Sequence, residues 1–413
     1  MSSPRLPRAR RTPQRYQLGK HALAAIDRGH PWVFRDHLST AAAALVDGQW
    51  LALYDGQNQI IGHGIYDAEG AIGIRVMTRG PERPTAATFT TAIHAALAKR
   101  KALRVETDAF RAIHGESDGL PAVVVDVFGD TVVVQSYSAG TAALARFAGI
   151  VVARAVGAKH LVAKPAQRRV GQAGTVAPTR VLYGAPPPEE LPFREGPFTF
   201  VARPLSGQKS GTFLDLRGLR LHLAAMPLAG KRVLNLFAYT GTLGRACEQA
   251  GAAQIYHVDR SASALELGAK VHVGDGAKHD WLIADVFEWL PALGRDVKFD
   301  LIIVDPPSMT SRVAQVPEVL ANYRRLYQQV ARHVAPGGMI AACCCTSRVT
   351  RSTFRTTVGS ALGNAFALDH ELGPEPDHPV AFPEADYLKL TIWRRRGKRP
   401  GDAPTDAPEP DAG

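Results

Sequence analysis

Val233-Leu234-Asn235-Leu236-Phe237-Ala238-Tyr239-Thr240-Gly241 is a short apolar run that closes on a polar, glycine-ended turn. That is how a buried parallel strand hands over to a helix. Three runs of the same kind follow: Ile255 to Val258 ending in Asp259, Trp281 to Ala284 ending in Asp285, and Leu301 to Val304 ending in Asp305-Pro306-Pro307. A fifth, Met339 to Cys344, ends at Cys345. Helical spacing fills the gaps, most clearly at Val319, Leu320, Tyr323, Leu326 and Val330 before the stop at Pro336-Gly337-Gly338. Alternating β and α segments predict an α/β fold, a doubly wound parallel sheet of Rossmann type with its ligands at the carboxyl ends of the strands.

Each strand end delivers one polar handle. The carboxylate of Asp259 offers two oxygens in a fork, suited to the two hydroxyls of a ribose. The first turn has a single glycine in place of Gly-x-Gly-x-x-Gly, which suits a pyrophosphate poorly and disfavours a nicotinamide dehydrogenase. Asp305-Pro306-Pro307 aims a carboxylate and backbone carbonyls at the same place, an arrangement for the amino and ring-nitrogen edge of a base. In this pattern the chain resembles methyltransferases, and those that act on exocyclic amines usually carry an aromatic residue where Ser308 stands, so the resemblance implies a ring carbon as target. For such a target, cytosine carbon 5 is a poor nucleophile until a thiolate adds to carbon 6, which requires a cysteine at the rim. Cys345 stands there. Cys343 and Cys344 read as small buried hydrophobes, and Cys247, in a helical stretch, as core.

Ahead of this region, Trp50 to Tyr54, Ile60 to Tyr66 and Ile72 to Met77 alternate around Asp55-Gly56 and Glu69-Gly70, the pattern of hairpins in a small β-barrel. Pro81 to Pro84 reads as a linker and Ala86 to Lys101 as a helix. From Phe110 to Tyr183 the order strand, strand, helix, strand predicts an α+β unit, closed by Ala185-Pro186-Pro187-Pro188. The expected organisation is a basic arm (1–15), a barrel (16–80), a linker helix with an α+β middle domain (81–190), the doubly wound domain (191–397) and a Pro- and acid-rich tail (398–413).

Across 413 residues, 49 Lys and Arg against 38 Asp and Glu leave a net charge of +11, which favours phosphate-rich partners. Arg5, Arg8, Arg10, Arg11 and Arg15 carry no acid among them, and Arg394, Arg395, Arg396, Lys398 and Arg399 form a second basic run. Four cysteines, three of them consecutive, build neither a disulfide framework nor a spaced zinc site, so reduced thiols and no metal are expected. No membrane-spanning run and no secretory leader are read, which predicts a soluble cytoplasmic protein without a membrane partner.

The four strand-end handles, taken in order, resemble those of class I S-adenosylmethionine methyltransferases. The resemblance implies S-adenosylmethionine as cofactor, with Asp259 on its ribose, Asp285 on its adenine, and Asn235, Phe237, Tyr239 and Gly241 at its methionine end. From Gly19 to Trp393 the chain is similar to the bacterial large-subunit ribosomal RNA cytosine-5 methyltransferases that join an N-terminal PUA domain to a methyltransferase domain. His30-Pro31-Trp32-Val33-Phe34, Gly115-Glu116-Ser117-Asp118-Gly119-Leu120-Pro121, Lys209 to Arg217, Asp377-His378-Pro379 and Tyr387-Leu388-Lys389 carry that likeness. It implies ribosomal RNA as partner, Cys345 as nucleophile, Asp305 holding the base, and Pro306, Pro307 and Arg217 as substrate contacts; it also allows a homodimer. A PUA barrel beside a basic arm implies RNA binding. Three positions depart from the family: Leu216 for Gln, Ser308 for Lys and Cys344 for Ser. A sister group that methylates guanine has Asn at the motif cysteine, which Cys345 argues against. Another RNA base, a tRNA, or a non-catalytic assembly factor stay open as alternatives.

Overall fold

The computed structural model describes residues 12–165, 178–207, 209–310 and 312–397. Arg5, Arg8, Arg10, Arg11, Lys398, Arg399 and the tail lie outside the described residues. The chain divides into two compact units, residues 1–218 with 374–386, and residues 219–373 with 387–413.

The first unit holds two five-stranded sheets. In one, Trp50–Tyr54, Ile60–Tyr66 and Ile72–Arg79 form the expected antiparallel meander. Gln14–Gln17 pairs parallel to its first strand, and Trp32–Phe34 closes the other edge. Leu51, Leu53, Ile74 and Val33 are sealed beneath it. In the other sheet, Ala109–His114, Val123–Phe128, Thr131–Ser136, His160–Pro165 and Arg180–Tyr183 carry the helix Ala142–Val156. The stretch Ala139–Val156 is, by length and hydropathy alone, apolar enough to cross a membrane, which the sequence reading missed. Here it is a core helix, with Leu144, Phe147, Ala148 and Val152 buried in the cluster that includes Val125, Val132, Val134 and Leu161.

Two features of this unit add to the sequence expectation. The hairpin Leu191–Glu195 with Phe198–Ala202, expected at the head of the doubly wound domain, packs within the first compact unit, where Phe193 meets Phe128 ring to ring at 5.7 Å. Gly115 to Gly119, read as turn chemistry, also carries a polar knot. Glu116 accepts from Trp32 Nε1 (2.8 Å) and Arg75 Nη1 (2.9 Å), while Asp118 takes two hydrogen bonds from the fully buried Arg100 (2.9 and 2.6 Å). Buried charges persist only when paired this completely.

The second unit is a single seven-stranded sheet. Its strands are labelled β1 (Arg232–Leu236), β2 (Gln254–Asp259), β3 (His279–Ile283), β4 (Phe299–Val304), β5 (Val334–Cys344), β6 (Phe366–Leu372) and β7 (Lys389–Arg395). The order is β3-β2-β1-β4-β5-β7-β6, parallel throughout except that β7 runs against both neighbours. The five expected strands are all present. Helices α1 (Thr242–Gln249), α2 (Ala262–Val271), α3 (Val286–Ala292), α4 (Val316–His333) and α5 (Arg351–Leu362) connect them. Val319, Tyr323, Leu326 and Val330 of α4 bury the face foreseen from their spacing, against Ile302, Val304, Ile340 and Ala342. Chain order reverses at β1 and β4, so the loops after these two strands diverge and open a crevice at their carboxyl ends.

Candidate active site

Strand β1 runs into two non-glycine residues with left-handed backbone, Phe237 (φ 59°) and Tyr239 (φ 50°), before Gly241 (φ 72°). Each costs about 1–3 kcal/mol and survives only where its surroundings hold it. Asp259, at the end of β2, supplies the hold: its Oδ2 accepts from the Tyr239 N–H (2.9 Å) and its Oδ1 from the Ser261 N–H (2.8 Å). Each oxygen keeps a second lone pair, so the fork that shapes the turn remains able to accept two hydroxyls. Gly241 has no alternative, since a Cβ there would lie 2.6 Å from the Trp281 ring.

Asp285 follows β3 and caps α3, its Oδ1 accepting from the Phe287 N–H at 2.8 Å. Beside it Ile283 is 60% and Phe287 46% exposed, and the Phe237 ring stands 5.4 Å from that of Phe287. Large apolar groups left open at a strand end mark a binding surface. Asn235, on β1, is buried with its Oδ1 unpartnered. A forked acid, apolar walls beside a second acid, a backbone turn held in a strained shape and an orphaned amide oxygen together fit S-adenosylmethionine, whose donor is a sulfonium carrying a nucleoside and an amino acid.

On the other side of the crevice, Asp305 is half-buried and its N–H donates to the Leu236 carbonyl (3.4 Å), tying β4 to β1. Pro306 is buried and Pro307 exposed. Cys345 is half-buried, and its thiol donates to the Pro306 carbonyl at 3.5 Å, so the turn after β4 and the residue after β5 meet. Cys343 and Cys344 are fully buried in the sheet, and Cys247 likewise in α1, where burial pushes its thiol far up.

The sequence reading missed the residue that fastens these two loops. Thr346 Oγ1 accepts from the Met309 N–H (3.2 Å) and lies 3.4 Å from Tyr323 Oη, while its carbonyl accepts from Lys389 Nζ (2.8 Å). Lys389 is fully buried and also donates to the Tyr387 carbonyl (3.0 Å). Burial, and then the neighbouring Cys344, push the Tyr323 hydroxyl well above its ordinary value, so it stays protonated. The signal was in the sequence: Tyr387-Leu388-Lys389 stood out as a motif, and a lysine opening an apolar strand calls for a reason.

Arg217 is corrected. It is 2% exposed, and its guanidinium donates to Asp377 (3.1 and 3.0 Å), Glu375 (3.2 Å) and the Ala109 carbonyl (3.1 Å). A side chain enclosed by carboxylates presents nothing to a nucleic acid, so its role is to hold the first unit together.

A family described as S-adenosylmethionine-dependent methyltransferase matches residues 186–389, and a PUA-like domain matches residues 17–79. A protein of Deinococcus radiodurans named ribosomal RNA large subunit methyltransferase is 32% identical over 92% of this chain and 96% of its own. One of Citrobacter koseri named ribosomal RNA large subunit methyltransferase I is 31% identical over 91% and 98%. Among solved structures, an S-adenosylmethionine-dependent methyltransferase from Streptococcus mutans superposes with TM-score 0.80 at 22% identity, covering 92% of this chain and all of the other. A methyltransferase solved in complex with SAH matches equally well, TM-score 0.80 at 22% identity, over 92% of this chain and 100% of that one. The chain belongs to the S-adenosylmethionine-dependent ribosomal RNA large subunit methyltransferases, a PUA-like domain joined to a class I methyltransferase fold.

Proposed function

We propose that this protein transfers a methyl group from S-adenosylmethionine to carbon 5 of a cytosine in large-subunit ribosomal RNA, through a covalent adduct with Cys345. Asn235, Phe237, Tyr239, Gly241, Asp259 and Asp285 hold the cofactor, whose sulfonium supplies an electrophilic methyl. The observation that carries the reading is the meeting of Cys345 with the Asp305-Pro306-Pro307 turn at the open crevice, 3.5 Å from the Pro306 carbonyl, while the two preceding cysteines are sealed in the sheet.

The target cytosine leaves its stack, at a cost of about a few kcal/mol, and lies against Pro306 and Pro307. Asp305 accepts from its amino group and passes a proton to ring nitrogen 3 as the thiolate adds, which neutralises the charge pushed into the ring, and takes that proton back when the adduct collapses. A bond forms between Cys345 Sγ and carbon 6, and the ring electrons shift to carbon 5, which takes the methyl group. Loss of the carbon-5 proton to a base then returns an electron pair, the sulfur–carbon 6 bond breaks, and Cys345 leaves as thiolate. Thr346, clamped by Met309 and Lys389, fixes the distance between the thiol and the base-holding turn.

The test is to incubate the protein with S-adenosylmethionine and unmodified large-subunit ribosomal RNA, digest to nucleosides, and analyse by mass spectrometry. The reading requires 5-methylcytidine, absent with Cys345→Ala. Another methylated nucleoside refutes the cytosine target, and full activity in Cys345→Ala refutes the adduct.

A further inference from the structure

Beneath the cofactor turn, three strands are joined through their side chains rather than only their backbones. Asn235 Nδ2 of β1 is 3.2 Å from His257 Nδ1 of β2. His257 Nε2 is 2.9 Å from His279 Nδ1 of β3, and His279 Nε2 is 3.2 Å from Glu248 Oε2 of α1. All four residues are buried, and the His257 ring lies flat on Trp281, centroids 4.0 Å apart and planes 7° apart. The helices that carry the turn sit directly on this stack. A Cβ at Gly244 would lie 2.2 Å from His257, and one at Gly268 would lie 2.8 Å from Trp281.

The chain has only one consistent set of protons when both rings are neutral. Glu248 is ionised: burial pushes its carboxyl up, but the N–H groups of Gly274 and Asp275 and the guanidinium of Arg245 together outweigh that. An ionised carboxylate only accepts, so His279 carries its proton on Nε2 and accepts on Nδ1. His257 must then donate from Nε2 and accept on Nδ1, and Asn235 must present its NH2. The amide oxygen is thereby turned away from the histidines and left unpartnered, although burial of a lone acceptor is costly.

We infer that His257, His279 and Glu248 are positioning residues for the cofactor, forming with Asn235 a one-way hydrogen-bond chain whose proton occupancy sets which end of the Asn235 amide faces the cofactor turn. This rests on the assignment of Asn235 and Asp259 to that cofactor. One added proton reverses the chain. The Nε2 proton of His257 passes to His279 Nδ1, the incoming proton settles on His257 Nδ1, and His279 becomes an imidazolium paired with Glu248. His257 Nδ1 is now a donor, so the Asn235 amide must turn its oxygen inward and its NH2 outward, where a cationic amino acid group meets a donor instead of an acceptor.

The groups facing His279 are Glu248 and Arg245 of α1, Asp275 of the loop before β3, and His257 of β2. Burial holds both histidines below their ordinary value, more strongly for His257, so the one-way form prevails at neutral pH.

The experiment is calorimetric titration of S-adenosylmethionine into the full chain at about pH 7 and about pH 5, where the cofactor's own amino group stays charged. Alongside it, nitrogen NMR reads the histidine tautomers. The wild type loses about five- to tenfold in affinity on acidification, the worth of one hydrogen bond. His279→Gln, whose carboxamide keeps the same polarity but cannot titrate, binds as the wild type does near neutrality and loses nothing in acid. His257 and His279 both appear as Nε2–H tautomers at pH 7. Observation of His257 as the Nδ1–H tautomer at neutral pH overturns the chain, as does an acid loss that persists in His279→Gln. Unchanged affinity in Asp259→Ala removes the cofactor assignment instead, and the tautomer measurement tells the two failures apart.

Discussion

Lys389 places its Nζ 2.8 Å from the carbonyl of Thr346, one residue beyond Cys345. This fully buried donor on that carbonyl fixes the backbone that presents the thiol. Lys389→Met keeps the length and apolar stem and removes one hydrogen bond from each of the Thr346 and Tyr387 carbonyls, about 0.5–1.5 kcal/mol apiece, leaving the Thr346 carbonyl with the Val349 N–H (3.1 Å) alone. We expect kcat to fall at least tenfold with little change in KM for S-adenosylmethionine, as steady-state methylation kinetics would show. Unchanged kcat would mean that the lysine only fills space.

Arg217→Ala should act on stability and not on RNA contact. Removing it takes the shared cation from Asp377, Glu375 and Glu195, and breaking a buried ion pair from one side costs about 3–5 kcal/mol. Burial alone would push the Asp377 carboxyl up, but His378 and Arg217 beside it hold it far below the carboxylate range. Denaturant unfolding should show the first unit melting early. An unchanged midpoint with weakened RNA binding would restore the substrate role.

Acid should loosen both units. Burial holds His114 and His378 of the first unit and His257 and His279 of the second below their ordinary value of 6.5, with Arg111 adding to the effect at the first two and His279 at His257. The unfolded chain therefore binds more protons than the folded one once pH drops below that value. The stability due to neutral histidines is complete above about pH 6.5 and is lost as pH falls toward the depressed folded values, by about 1.4 kcal/mol per pH unit for each extra proton bound. Unfolding midpoints measured from pH 8 down to pH 5 should fall in that window, and a flat profile would contradict the burial argument.

The sequence disclosed the sheet because burial on both faces writes itself as continuous apolar runs, and Leu301 to Val304 or Ile255 to Val258 leave no second reading. The positions of the strand-end acids were legible for the same reason, but not their hydrogen bonds: Asp285 caps the helix that follows it and Asp259 holds the turn at Tyr239. Partnership was not legible. Arg217 looks like an RNA contact until Asp377, 160 residues later, is found against it, and His257 and His279 lie on different strands with no motif linking them. The hairpin Leu191–Ala202 was assigned by its place in the chain, and the packing of Phe193 on Phe128 could not be read there.

The bond between Cys345 and cytosine carbon 6 can be trapped. Large-subunit ribosomal RNA transcribed with 5-fluorocytidine accepts the thiolate and the methyl group, but fluorine cannot leave carbon 5 as a proton does, so the sulfur–carbon bond cannot be released. With S-adenosylmethionine present, the wild-type protein should form a complex with this RNA that survives denaturation, and peptide mass spectrometry should place the link on Cys345. No covalent complex with the wild type, or one that forms equally well with Cys345→Ala, would contradict the account.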